Sequence, residues 1–464
     1  MGTVGLSFGS PTSGQGIDVA STVSQITANM QAVETPWKNQ LTQLQAEDTV
    51  YTTLGTDLSN LSTSLQALTD FEGVLASKQG SSSNTNVLQL LSAGTTALSG
   101  SHSIVVSTLA QTASYYSNDF ANSSDLVTGS LTLTVNGGSP TTINTDTGGD
   151  TISQLASLIN GANAGVTANI ITDAGGQRLS LTSNSSGGVG NFTITNSLAD
   201  STNPSNTIGF TQAQAGTDAS FTVDGISETS SSNTVSNAIP GVSFQLLSAA
   251  VGSPVQVEIT NDNSTVESAF SSFVTAYNQA VTDMNAQEGN NSSGAAQPLY
   301  GSPTLALLQT QLGSALTYMQ SGGSGSINSL TQLGITVNNN GTLTLDSSAL
   351  DSTLNSNYQD VINFLQPGSG YTSFGDNFTT ALNNLGGNAP DGAVYLALQS
   401  DQSNEATLNT NITNENTLIT QQTQTLTTEL NQANYTLSEI PQQLDYVNEL
   451  YSSLSGYNIN PNFG

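Results

Sequence analysis

The sequence predicts an α+β protein: a coiled-coil or helical stalk made from the N- and C-terminal segments, with antiparallel β-rich head domains inserted between them. Three observations carry this expectation. Apolar residues recur at spacings of three and four near both ends of the chain. Short alternating strands bounded by Gly, Asn and Ser fill the middle. The chain has 464 residues but is only 35% hydrophobic, against a usual fraction of about 45–50%, so it should fold as several small domains with thin cores.

Residues 1–16 are Gly, Ser and Thr with scattered apolar residues, a composition expected to lack fixed structure in isolation. Ile17, Val19, Val23, Ile26, Met30 and Val33 then fall on one helical face, with Asp18 placed to cap the start. Pro36 interrupts this helix. Beyond it, Trp37, Leu41, Leu44, Tyr51, Leu54, Leu58, Leu61, Leu65 and Leu68 mark a second seam, with Asp48 in one of its places. A helix over 37–71 would be roughly 50 Å long and reads as coiled coil.

The C-terminal seam mirrors it: Leu408, Ile412, Ile419, Leu426, Leu430, Ala433, Leu437, Ile440, Leu444, Val447, Tyr451 and Leu454. Thr, Asn and Gln surround these positions and are modest helix formers, so this helix is expected to need a partner. Pro441 is expected to kink it or divide it into two.

Between the ends, strands are expected at Ser103–Val106, Leu131–Val135, Val166–Ile171, Arg178–Leu181, Phe192–Ile194, Phe221–Val223 and Val255–Ile259. A short helix is expected at 151–160, a longer one at 264–285, and a polar loop at 286–297. Residues 298–400 return to helical spacing, apart from a hairpin, Gly334–Val337 to Gly341–Leu345. The resulting domain division is an N-terminal leg at 1–36 and a stalk of 37–78 with 261–434. A first β-rich head takes 79–127 with 197–260, a second takes 128–196, and a C-terminal leg helix covers 435–464.

The charge balance limits partners. Thirty-three acidic residues stand against three basic ones, Lys38, Lys78 and Arg178, for a net charge of -30. Nucleic acid and anionic membrane surfaces both need cations this chain lacks. No apolar run approaches the ~18 residues of a membrane span, and the N-terminus has neither the basic nor the apolar region of a secretory signal. With no cysteine and one histidine, His102, the common nucleophile–base pairs have almost no material, so neither catalytic nor cofactor-binding residues are assigned. Asn144-Thr-Asp146-Thr-Gly-Gly-Asp150 and Asn261-Asp262-Asn263 offer oxygen ligands, but neither has EF-hand spacing and both are turn-forming sequences, so no metal site is assigned.

Several segments carry a resemblance. Thr151-Ile-Ser-Gln-Leu-Ala-Ser-Leu-Ile-Asn160, then Gly165-Val-Thr-Ala-Asn-Ile, then Arg178-Leu-Ser-Leu-Thr-Ser, is similar to the IN module of flagellar hook-associated proteins and flagellins. Gly16-Ile17-Asp18, Gly100-Ser-His-Ser-Ile-Val-Val-Ser-Thr-Leu-Ala-Gln111, Phe270-Ser-Ser-Phe-Val-Thr-Ala-Tyr-Asn278, and Leu333-Gly-Ile335 with Gly341-Thr-Leu-Thr-Leu-Asp346 resemble successive parts of the flagellar hook-associated protein 2 family, the filament caps. The matches keep the family's order. One place departs from it: Ser438-Glu-Ile-Pro441 stands where the family usually carries a basic and aromatic pair.

The resemblance implies a structural protein, not an enzyme, that forms a ring-shaped homo-oligomer of about four to six copies, with a pentamer favoured. It implies a place outside the cell at the filament tip, reached through the flagellar export channel. Implied partners are flagellin, the hook–filament junction proteins, an export chaperone, and a host surface or glycan. Assembly and stalk contacts would fall on Ile17, Asp18, Val23, Ile26, Trp37, Leu41, Leu44, Leu437, Ile440, Leu444 and Val447. Two other readings fit parts of the sequence: another axial flagellar protein, or an adhesin using exposed aromatics such as Tyr115, Tyr116 and Phe120.

Overall fold

The computed structural model describes residues 18–201, 207–322, 325–386 and 391–456. The chain forms two compact units: 1–66 together with 270–464, and the intervening 67–269. The helices are α1 (Val19–Gln31), α2 (Thr35–Thr69), α3 (Ile152–Gly161), α4 (Asn263–Ala286), α5 (Pro303–Leu316), α6 (Ser347–Leu365), α7 (Phe374–Leu385) and α8 (Ala393–Ser455).

The first unit is built from helices. A 3-10 turn at Ala32–Glu34 separates α1 from α2. Pro36 falls in the first turn of α2, where its missing N–H has no helical partner to lose. Tyr51, Leu54, Leu58, Leu61 and Leu65 of α2 are buried; each such leucine stabilises the fold by roughly 1.5–3 kcal/mol. Helices α4, α6 and α7 meet in an aromatic knot. Phe273 and Phe378 lie edge-to-face at 5.5 Å, and Phe364 stacks on Phe374 at 5.3 Å. Helix starts are capped by side chains: Ser302 for α5, Asp346 for α6, and a reciprocal Ser373–Asp376 box for α7.

Helix α8 runs 63 residues through Pro441 without division. Of the two outcomes expected at Pro441, a kink or a division, the division does not occur. The proline removes one N–H and leaves the Leu437 carbonyl without its helical donor, but the turns around it are exposed to water, which can satisfy the carbonyl. The threonines of α8 bond their own backbone: Thr410 Oγ1 donates to Ala406 O, Thr413 Oγ1 to Asn409 O and Thr420 Oγ1 to Asn416 O. Their hydroxyls are thereby satisfied without any cationic partner.

The second unit is antiparallel β. Going out, the chain forms β1 (Lys78–Ser82), β2 (Leu88–Ala93) and β3 (Gly100–Thr108). An inner set follows: β4 (Thr112–Ser117), β5 (Leu126–Thr128), β6 (Ser130–Val135), β7 (Thr141–Asn144), β8 (Asp150–Thr151), β9 (Val166–Asp173), β10 (Gly176–Ser186), β11 (Phe192–Asn196), β12 (Ala199–Asp200) and β13 (Phe210–Gln214). The return is β14 (Ala219–Val223), β15 (Ile226–Ser230), β16 (Thr234–Ile239), β17 (Val242–Leu246) and β18 (Val255–Asn261).

Two cores result. The outer one packs the sheet β1-β18-β3-β14-β15 with the sheet β16-β17-β2. Strict burial alternation on β14 and β17 sends Phe221 and Phe244 into edge-to-face contact at 5.9 Å. The inner core gathers residues from Ala113 to Ile208 around α3 and three small sheets. The chain passes from one core to the other between Ala110 and Ala113 and returns between Ile208 and Ala219.

Every expected strand is present, and α3 and α4 fall within one residue of the expected 151–160 and 264–285. The expected hairpin is present as well: in the first unit, β19 (Ile335–Val337) pairs with β20 (Leu343–Leu345). Gly334, at φ 78°, turns the chain into this hairpin; a Cβ there would sit 2.7 Å from Asp346 O. Strands such as β1, β13 and β15 were not expected, because Ser, Thr, Gln and Glu give them no apolar face.

Four asparagines clamp one element to the backbone of another, each presenting an acceptor and a donor as a strand neighbour would. Asn160 Oδ1 accepts from Ala168 N (2.8 Å) while its Nδ2 donates to Ala168 O (2.9 Å). Asn191 holds Gly216 at 2.8 Å in both directions. Asn233 holds Ala110 at 2.7 and 3.0 Å, and Asn278 holds Leu343 at 2.6 and 2.9 Å. Asn160→Ala removes two bonds to a buried residue and should lower the stability of the second unit by about 1 kcal/mol. Asn160→Asp keeps the acceptor but sets a carboxylate oxygen against Ala168 O in place of the donor, so in a denaturant titration at neutral pH it should destabilise at least as much as Asn160→Ala.

Candidate assembly surface

Helices α1 and α2 run antiparallel to α8. Thr27 Oγ1 lies 3.0 Å from Thr423 Oγ1. Glu47 and Asp48 lie beside Asp401. A Cβ on Gly55 would sit 3.5 Å from a Val394 methyl, ordinary packing distance. These pairs share one register, one residue back on α8 for each residue forward on α1 and α2. At that register Val19, where α1 starts, lies across from the Leu430 turn of α8.

The sequence-predicted contacts divide at this point. Ile17 lies outside the described residues. Asp18 caps α1, its Oδ1 accepting from Ser21 N at 3.0 Å. Val23 and Leu44 are buried, and Ile26, Trp37 and Leu41 are half-buried. Leu437, Ile440, Leu444 and Val447 are exposed, at 44%, 44%, 55% and 58%. Tyr451 and Leu454 continue the same row and are exposed as well. Spacing of three and four keeps these six on one face. Glu439, Asp445 and Glu449 fall on the other side of the helix, so the row itself carries no charge. The row is thus an apolar stripe rimmed by polar residues and left uncovered among the described residues.

The joint between α1 and α2 holds a feature the seam pattern did not single out. Glu34 is fully buried and meets Lys38 Nζ at 2.6 Å one helical turn on. Neither carboxylate oxygen has another bond, so Lys38 alone balances it. Residues 34 and 38 at i and i+4 were a readable signal; the burial was not.

The other candidates from the sequence have structural roles. His102 Nδ1 lies 2.8 Å from Asp224 Oδ2, and Asp224 Oδ1 accepts from Ser103 N at 2.8 Å. The Ser103 N–H first, and then the imidazole, hold the Asp224 carboxyl below its usual range. Asp224 and Gly225 form the β14–β15 turn, both at positive φ, so His102 pins that turn to β3. Asp150 Oδ2 accepts from Asp146 N at 2.9 Å. Asp262 accepts from Ser264 Oγ and Thr265 Oγ1 at 2.7 and 2.6 Å at the start of α4. Among the described residues no three His, Cys, Asp or Glu side chains are grouped to hold a metal ion. Nor, among them, is any helix long and apolar enough to cross a membrane. Tyr115 packs on Phe192 at 4.8 Å, Phe120 is buried, and Tyr116 lies under the Arg178 guanidinium.

Three family patterns match in order along the chain: flagellar hook-associated protein 2 N-terminus over residues 15–113, flagellin hook IN motif over 130–185, and flagellar hook-associated protein 2 C-terminus over 216–452. The chain is 28% identical to the flagellar hook-associated protein 2 of Escherichia coli K12 over 406 residues, covering 80% of this chain and 84% of that one. It is 28% identical to the polar flagellar hook-associated protein 2 of Vibrio parahaemolyticus and 30% identical to the B-type protein of Pseudomonas aeruginosa. Those matches span only 27% and 32% of the relatives' own lengths, and 39% and 32% of this chain. A solved structure of the D1–D2–D3 domains of the Escherichia coli flagellar cap protein superposes with a TM-score of 0.57 at 26% identity, covering 76% of this chain and 99% of that one.

Because the α8 tail makes no core, Leu444→Ser with Val447→Ser should change the thermal midpoint of the free subunit little, within about 0.5 kcal/mol. Leu54→Ala, at a buried α2 position, should cost about 2–5 kcal/mol in the same melt.

Proposed function

Because the chain belongs to the flagellar hook-associated protein 2 family, we propose that it caps the distal end of a bacterial flagellar filament, as a ring of copies beneath which flagellin folds and polymerises. The observation that carries this reading is the family match running in order from residue 15 to 452 on a helical stalk with a β-rich insertion. The uncharged apolar row from Leu437 to Leu454 supports it, since a subunit that works by assembly needs a contact surface its own fold leaves open.

In this reading, residues 1–36 and 435–464 are the legs, 37–78 with 261–434 the stalk, and the two β-rich cores, which exchange the chain between Ala110 and Ala113 and between Ile208 and Ala219, the heads. Val23, Trp37, Leu41 and Leu44 hold the stalk together; Leu437, Ile440, Leu444 and Val447 make the outer contact. The ring has four to six copies, five favoured. The protein works without catalysis, meets flagellin and the junction proteins, and reaches the filament tip through the flagellar export channel with the help of a chaperone. High like charge keeps free subunits soluble until the filament end gathers them.

Light scattering of the full chain should give a concentration-dependent mass reaching four to six subunits, weakened in a chain lacking residues 1–36 and 435–464. Gold-labelled protein mixed with filaments of the cognate flagellin should mark one end only in electron micrographs. Labelling along the filament sides, or none at all, would overturn the cap reading.

A further inference from the structure

The contact face of α2 is lined with carboxylates that have no cation. Asp57 lies between Leu54 and Leu58 on α2 and is only 7% exposed. Its carboxyl lies beside that of Asp283 on α4, which accepts from Gln279 Nε2 at 2.8 Å, and the Asp57 Oδ2 is buried with no hydrogen-bond partner. Two carboxyl groups can bond only when one carries a proton. About 14 Å along α2, at ~1.5 Å per residue, a second layer repeats the arrangement. Asp401 of α8 faces Glu47 and Asp48 of α2, with Glu405 on its own helix. Asp48 Oδ1 and Glu405 Oε1 are buried without a partner.

No counter-charge is at hand. Lys38 is engaged by Glu34, and Arg178 by Asp119 and Asp173. Lys78 donates to Asn261. Helix α5 and the β19–β20 hairpin carry no titratable group. At the level of Asp57, α8 presents Val394 and Leu398, with the partly exposed Tyr395 next to them. Asp376 of α7 is committed to its capping box.

We propose that the contact of α2 with α4 and α8 is a proton-operated latch, loose at neutral pH where its carboxylates repel one another and tight near pH 5 where they share protons. Burial first, then Asp283, pushes Asp57 up from 3.8 to about 6. Burial, then Glu47, Asp48 and Glu405, does the same for Asp401. Between these values the closed latch binds more protons than the open one. Its stability is therefore full below about pH 4 and is lost as the pH rises through about 6. The carboxyls held low, Asp173, Asp224, Asp262 and Asp360, act in the opposite sense and below this window. A two-unit shift bounds the effect of each layer at roughly 100-fold in the opening constant.

Amide hydrogen exchange of the full chain reads the latch directly, in peptides covering 44–61 and corrected for the intrinsic pH dependence of exchange. Wild type should open about tenfold or more less often at pH 5.2 than at pH 7.5. Asp57→Asn and Asp401→Asn should already be protected at pH 7.5 and lose most of that pH response, each most strongly in its own layer. Asp283→Asn tests the first layer should Asp57→Asn fail to fold. Asp445→Asn, which removes one charge from the exposed tail, should respond as wild type does. A wild-type pH response in the Asp57 and Asp401 variants overturns the latch. An equal loss in the Asp445 variant overturns it too, because net charge alone would then account for the effect.

Discussion

The scarcity of cations shapes this structure more than any other constraint. Three basic residues cannot neutralise thirty-three acids, so ion pairs are few and the joints are made by neutral polar groups. Asparagine is well suited to this, because its amide offers one donor and one acceptor at the spacing of a peptide unit. At Ala168, Gly216, Ala110 and Leu343 it stands in for a missing strand. The hydroxyls of α8 do a related job by turning back on their own helix. Neutral joints of this kind are insensitive to salt, unlike surface ion pairs, which a Debye length of about 8 Å screens at physiological ionic strength.

Burial then sorts the long helices into two regimes. Up to about Leu430, α8 lies along α1 and α2, and its seam residues are shared within the chain. Past that turn, the same three-four spacing continues with nothing of the described chain opposite it. A helix this rich in Thr and Asn gains little from propensity alone, so the order of its tail rests on continuity with the packed part and on whatever covers the row in an assembly.

Much of this was legible in the sequence, for identifiable reasons. Seams at Leu54, Leu58 and Leu61 announce α2 because leucines at helical spacing have one economical interpretation. Val255, Val257 and Ile259 announce β18 in the same way. The edge strands β13 and β15 were illegible, since an exposed strand that only completes a ladder carries no apolar alternation. The candidate surface was half legible. Spacing placed Val23 and Leu444 in equivalent rows, but only three-dimensional register reveals that one is covered and the other open. The carboxylates at 57, 283 and 401 were illegible because the chain separates partners that the fold brings together.

Pro441 gives the tail a mechanical property. The helix passes through it intact, yet the rung that would tie residue 441 to residue 437 is missing, so bending resistance drops at that one level. The fourteen residues beyond it form a rod of roughly 20 Å. Such a rod, set on a compliant joint, moves its tip sideways by about 1–2 Å for a few degrees of flexure. The tail can thereby follow a moving surface as a sprung lever, without giving up its helical form.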